Sequence, residues 1–108
     1  MKIEIPRAFN DLCGLFYQGM SLYIPTIEAR IEWVLDGQPK EVLAISKSFL
    51  DELLSGGYDK DQLTEIWSRT HAPVMFFDPS DGNAREPGIV YFLKLFRSSI
   101  ERKLEEFG

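Results

Sequence analysis

Apolar residues recur along this chain at steps of three and four, and proline or glycine interrupts them at intervals suited to short helices. After Pro6, the residues Phe9, Leu12, Phe16 and Met20 fall on one helix face. Gly14 lies inside that run and weakens it by roughly 1 kcal/mol against alanine, and the helix is expected to end near Gly19. "SLYIP" reads as a connector, because Pro25 disfavours helix at Ile24. Thr26 then serves as an N-cap, Glu28 complements the helix dipole, and Ile27, Ile31, Val34 and Leu35 form a stripe closed by Gly37. Pro39 opens a third helix whose apolar face is Val42, Ile45, Phe49, Leu50, Leu53 and Leu54, terminated by Gly56 and Gly57. In "YDKDQL", Asp59 with Gln62 three residues on has the form of a capping box. Leu63, Ile66 and Trp67 follow on the inner face of a short helix that frays by Arg69.

The character changes at "APVMFFDPSDGN". Its apolar run predicts a short extended segment near residues 73–78, able to pair with the alternating "MKIEI" at the start, and "PSDGN" is turn chemistry. Pro87 opens a last helix with Ile89, Phe92, Leu93, Phe96, Ile100, Leu104 and Phe107 in one stripe and Lys94, Arg97, Arg102 and Lys103 on the wet face. Together the pattern predicts an all-α, compact single-domain bundle of about five helices over residues 1–108.

Charge narrows the class of partner. Twelve Lys and Arg oppose 17 Asp and Glu, for a net charge of -5 and a pI near 4.8. Nucleic-acid binding needs a basic surface that displaces counterions, so it is not expected, and neither is adhesion to anionic lipid. A basic protein partner is compatible with this balance. The single cysteine, Cys13, permits no internal disulfide and fits a reducing compartment. The charged start "MKIEIPRAFNDL" does not read as a signal peptide, and no window has the apolar length of a membrane span. The expectation is a cytoplasmic protein.

Catalytic signals are weak. His71 is the only histidine and reads as an exposed residue near a helix C-terminus rather than as the base of a triad with Cys13, Asp78 or a serine. Cys13, among Leu12, Leu15 and Phe16, reads as a small buried hydrophobe. "DPSDGNAREPGI" fails as a calcium loop, since Ser80, Gly82 and Ile89 occupy its third, fifth and twelfth positions. One cysteine and one histidine make zinc weaker still. No glycine-rich phosphate loop follows a strand, and the tyrosines and tryptophans are not interleaved with basic residues as RNA stacking requires. Paired carboxylates such as Asp51 and Glu52 fall where capping and solubility explain them. No metal, cofactor or catalytic residue is expected. A small hydrolase using His71 remains as a third reading.

Three blocks carry a resemblance: "FNDLCGLFYQGMSLYIPTIEARIEWVLD", "FLDELLSGGYDKDQLTEIWSRT", and "FFDPSDG" with the closing "YFLKLFRSSI". In this order and at this length the chain resembles the small immunity proteins of bacterial contact-dependent growth inhibition. It departs from that family's pattern at Gly19 and Met20, where an Asp-Trp pair is usual, and after Phe77, where it is longer. The resemblance implies a non-enzymatic, cytoplasmic protein that binds the C-terminal toxin domain delivered by a neighbouring cell, often a basic nuclease, as a monomer forming a 1:1 heterodimer. The alternative is a helical adaptor binding another protein. Exposed acids around an aromatic anchor suit such an interface, so Tyr58, Asp59 and Asp61, with the loop acids Asp78, Asp81 and Glu86, are the expected toxin-facing residues.

Overall fold

A computed structural model of the chain describes residues 3–17, 19–71 and 88–107. Among these residues there are five α-helices and no strand: α1 (Arg7–Cys13), α2 (Ile27–Leu35), α3 (Lys40–Ser55), α4 (Lys60–Ser68) and α5 (Gly88–Phe107). A single 3₁₀ turn, Met20–Leu22, stands between α1 and α2. The all-α, compact single-domain bundle of about five helices expected from the sequence is what the structure shows. The radius of gyration, 13.1 Å, is close to the roughly 13 Å expected of a compact chain of this length. The expected extended segment at 73–78 lies outside the described residues.

Most boundaries follow from local chemistry. Thr26 caps α2, its hydroxyl accepting from Ala29 N at 3.1 Å. Asp59 caps α4 through both halves of a capping box: Gln62 N donates to Asp59 Oδ1 at 2.8 Å, and Asp59 N donates to Gln62 Oε1 at 2.9 Å. Gly37 and Gly57, just past α2 and α3, have φ of +73° and +75°, which side chains adopt only with strain.

Four expectations are corrected. The first helix stops at Gly14, not near Gly19: beyond Cys13 the amides of Leu15 and Phe16 bond three residues back, to Leu12 and Cys13, and the helical ladder is lost. Residues 3–6 are irregular rather than a strand, with Ile3 nevertheless buried and its carbonyl bonded to Arg69 Nη2 at 3.0 Å. In α3, Phe49, Leu50 and Leu53 are buried as expected, but the first half of the buried face is not the expected one. Leu43 and Ser46 are inside, Val42 is half-buried and Ile45 is exposed. Apolar residues cover so wide an arc of α3 that its partners α1 and α5, not its own pattern, choose the rotation. Phe107, at the very end of α5, is exposed although the rest of that stripe packs inward.

At the centre six aromatic rings meet. Phe9 of α1 lies 5.0 Å from Phe49 of α3, 6.4 Å from Trp67 of α4 and 5.9 Å from Phe96 of α5. Phe16, in the segment after α1, reaches Trp67, Phe92 and Phe96 at 5.7–6.0 Å. Edge-to-face geometry dominates, the arrangement that ring quadrupoles favour. Around this cluster, α2 is held by its aliphatic stripe and by polar links to α5: Tyr91 Oη donates to Glu28 at 3.2 Å, and Glu32 pairs with Arg102 and Lys103.

Between α3 and α5 the main ionic link is Asp51, which accepts from Arg97 and, at 2.9 Å, from Lys47. Donation from the Arg97 guanidinium, with help from Lys47, holds the Asp51 carboxyl below its usual range against a partial desolvation that works the other way. A depressed carboxylate pKa stabilises the fold above its unfolded value near 4 and loses that contribution as pH falls through the folded pKa. The side chains are more than a third exposed, so solvent screening keeps the contribution of the pair small. Asp51→Asn should therefore lower the melting temperature by a few degrees at neutral pH, about 4–8 °C per kcal/mol for a chain near this size. The difference from wild type should close as pH drops below about 4. Thermal melts between pH 7 and pH 2 check this, and a gap that stays constant across the range would contradict it.

Candidate protein-binding surface

Of the residues expected to face a partner, the structure describes Tyr58, Asp59 and Asp61; Asp78, Asp81 and Glu86 lie outside the described residues. Tyr58, Asp59 and Asp61 sit together at the corner where α3 turns into α4. Tyr58 is half-buried and packs against the core, with its ring over Gly56. Asp59 spends Oδ1 on the α4 cap, and Asp61 stands exposed in the first helical turn. The corner thus presents two carboxylates beside an aromatic edge, with part of that chemistry committed to holding the helix.

Among the described residues, no three His, Cys, Asp or Glu side chains converge as a metal site would require. Cys13 is fully buried, and burial pushes its thiol pKa strongly upward, opposed only in part by a hydrogen bond with Thr70. His71 is exposed, and its backbone amide donates to Asn10 Oδ1 at 2.9 Å, tying the end of α4 to α1. A hollow of about 630 Å³ opens between residues 3–6, Asn10 and Arg69. Another, of about 470 Å³, is bordered by Asp51, Leu54, Ser55, Lys94, Arg97 and Ser98. Asp51, the carboxylate in the second, is held ionised by its two cationic partners, which suits structure rather than proton abstraction.

A second surface was not singled out by sequence reasoning. Leu22 is 82% exposed, Tyr23 78%, Trp33 49% and Tyr17 39%. Tyr17 and Trp33 meet edge to face at 5.6 Å, so the segment before α2 and α2 itself present their rings together. The backbone that carries them is well tied. Met20 N bonds to Tyr17 O, and both Tyr23 N and Ile24 N bond to Met20 O. Gly19 supplies the left-handed turn, φ +82°. Arg30 reaches back from α2, its Nε donating to Ile24 O at 2.9 Å and Nη2 to Pro25 O at 2.8 Å. A signal was present in the sequence: Trp33 falls off the Ile27–Ile31–Val34–Leu35 stripe, and "SLY" places two large side chains in a connector.

Two measurements probe these placements. A Cβ at residue 56 would lie 2.6 Å from Tyr58 Cε2 and 2.9 Å from the Glu52 carbonyl oxygen. One of those contacts is backbone, so Gly56→Ala should cost about 1–3 kcal/mol in chemical denaturation and dislodge the Tyr58 ring. An unchanged midpoint would show that Tyr58 does not lie over Gly56. Cys13 should react with a thiol reagent at pH 8 only as fast as the whole fold opens, and prompt stoichiometric labelling in native buffer would contradict its burial.

Comparison of the chain with protein-family models, with curated proteins and with solved structures finds no match in any of the three.

Proposed function

We propose that this chain is an immunity protein of the contact-dependent growth inhibition type. It acts in the cytoplasm by binding the basic, nuclease-type C-terminal domain of a cognate effector and covering its active site. One observation supports this most directly: an acidic chain holds two aromatic rings in contact at its surface, and Leu22 and Tyr23 of the segment before α2 are exposed as well. Tyr and Trp supply large contact area at low entropic cost and are enriched among the residues that dominate protein interfaces. Inhibition by occlusion needs shape and charge, and no chemistry of the inhibitor's own.

Charge contributes to the rate of encounter. Opposite net charges steer two proteins together, up to on the order of 10⁸ per molar per second for well-steered pairs, with steep salt dependence. The acids Asp59 and Asp61 at the α3–α4 corner, and Asp78, Asp81 and Glu86, are the residues proposed to supply that attraction.

Calorimetric titration of the purified chain with the toxin domain encoded directly upstream of its gene tests this reading. The expected result is a 1:1 complex of nanomolar affinity or better, about 12 kcal/mol of binding free energy. Reversing charge at Asp81 and Glu86 should slow association at low salt and leave it nearly unchanged at high salt. No detectable binding to a folded toxin domain would remove the immunity reading in favour of a helical adaptor for some other protein.

A further inference from the structure

We infer that the face formed by Tyr17, Leu22, Tyr23 and Trp33 is the anchor of the complex, and that it receives an arginine-presenting patch of the toxin domain. This rests on the immunity reading above and names the surface and chemistry through which it acts.

Isolated apolar side chains in solvent are ordinary. Ile45 and Phe107 are of that kind, single residues on separate helices. The four residues here differ in two ways. Two of their rings are in mutual contact, and all four come from residues 17–33, the segment before α2 and α2 itself. The platform is also held in place before any partner arrives. Arg30 fixes the connector by two hydrogen bonds to its carbonyls, Thr26 caps α2, and the 3₁₀ turn closes on itself. A surface already ordered loses little entropy on binding.

The charges around the platform indicate what it accepts. α2 and its C-cap carry three acids four residues apart, Glu28, Glu32 and Asp36, and one cation, Arg30. The Arg30 guanidinium is turned onto backbone carbonyls, and Arg102 and Lys103 of α5 are both engaged by Glu32. Glu28 faces α5 through Tyr91. Asp36, the C-cap residue three positions beyond Trp33, is exposed and has no ion pair among the described residues. Ring faces beside a free carboxylate are the complement of a guanidinium, which stacks flat on an aromatic while its N–H groups fork onto a carboxylate. Lysine, a compact and strongly hydrated charge, gains less from both contacts.

The test uses the full chain and the toxin domain encoded directly upstream, with affinity and dissociation rate read together. Trp33→Ala and Tyr23→Ala should each weaken binding by about 30-fold or more, mainly through faster dissociation. Ile45→Ala, an exposed apolar residue elsewhere, should change it by less than about 2-fold. Tyr23 is nearly free in solvent, so its loss leaves the fold intact, as an unchanged melting curve verifies. Trp33→Leu keeps apolar area and removes the indole face, and should bind as poorly as Trp33→Ala. Tight wild-type binding that survives both alanine variants within about 3-fold overturns the anchor while leaving the immunity reading in place. Full binding by Trp33→Leu overturns the arginine assignment. Absence of wild-type binding overturns the immunity reading and the anchor with it.

Discussion

The fold depends on a single knot of rings. Phe9, Phe16, Phe49, Trp67, Phe92 and Phe96 come from α1, the segment after it, α3, α4 and α5, and each touches at least one ring from another element. α1 has seven residues and α4 nine, shorter than a helix needs to persist alone in water. They exist because Phe9 and Trp67 are clasped from several sides. Phe9, Phe92 and Phe96 are wholly buried, and full burial of such a side chain contributes about 1.5–3 kcal/mol before any gain from ring geometry. That order of stabilisation lets Gly14 end α1 without loosening the segment behind it. Phe16 crosses the break and rejoins the same cluster.

α2 stands apart from this knot. Its inner residues are aliphatic, and polar links join it to α5. No ring is needed from it for the core, yet it carries Trp33, and the segment between α1 and α2 carries Tyr17 and Tyr23. Large rings cost free energy when they face water, and the chain has a working aromatic core without them. Their placement on a backbone tied by Arg30 is economical only if something else covers them, which is the physical content of the anchor inferred above.

What could be read from the sequence was local. Thr26, Asp59 with Gln62, Gly37 and Gly57 act within one turn of themselves, so caps and stops were legible and four of the five helices lie where the pattern puts them. What could not be read is set across the chain. Val42 and Ile45 have the same hydrophobic character as Leu43, and only the positions of α1 and α5 decide that Leu43 goes in. The helix end at Gly14 depends on contacts made by Phe16, beyond the break. Trp33 and Trp67 look alike in composition, and their opposite fates follow from which stripe each misses or joins. The candidate site divides similarly. The acids of the α3–α4 corner were visible because charge is visible, but Asp59's use as a cap competes with that role. The aromatic surface at α2 was only partly legible: Trp33 misses the stripe in the sequence, but whether such a ring is left in solvent is decided by the fold.

The two surfaces then have different physical duties on the proposed reading. Steering acts through solvent over about a Debye length, roughly 8 Å at physiological salt, so acids at the α3–α4 corner need not touch the partner to hasten its arrival. An anchor works only by contact, through desolvated area that must be torn away before the partner leaves. An inhibitor that must outrun a toxin needs both, and they make opposite demands on a surface. Charges serve best when exposed and mobile, whereas rings serve best when held still. This chain meets the second demand with Arg30, whose guanidinium is spent on two backbone carbonyls instead of on a carboxylate. That choice stiffens the connector, while Glu32 is answered from α5 by Arg102 and Lys103 and Asp36 stands exposed without an ion pair among the described residues. The segment before Trp33 is thus held still by a cation of α2, and the carboxylate left over for a partner is the one that follows Trp33.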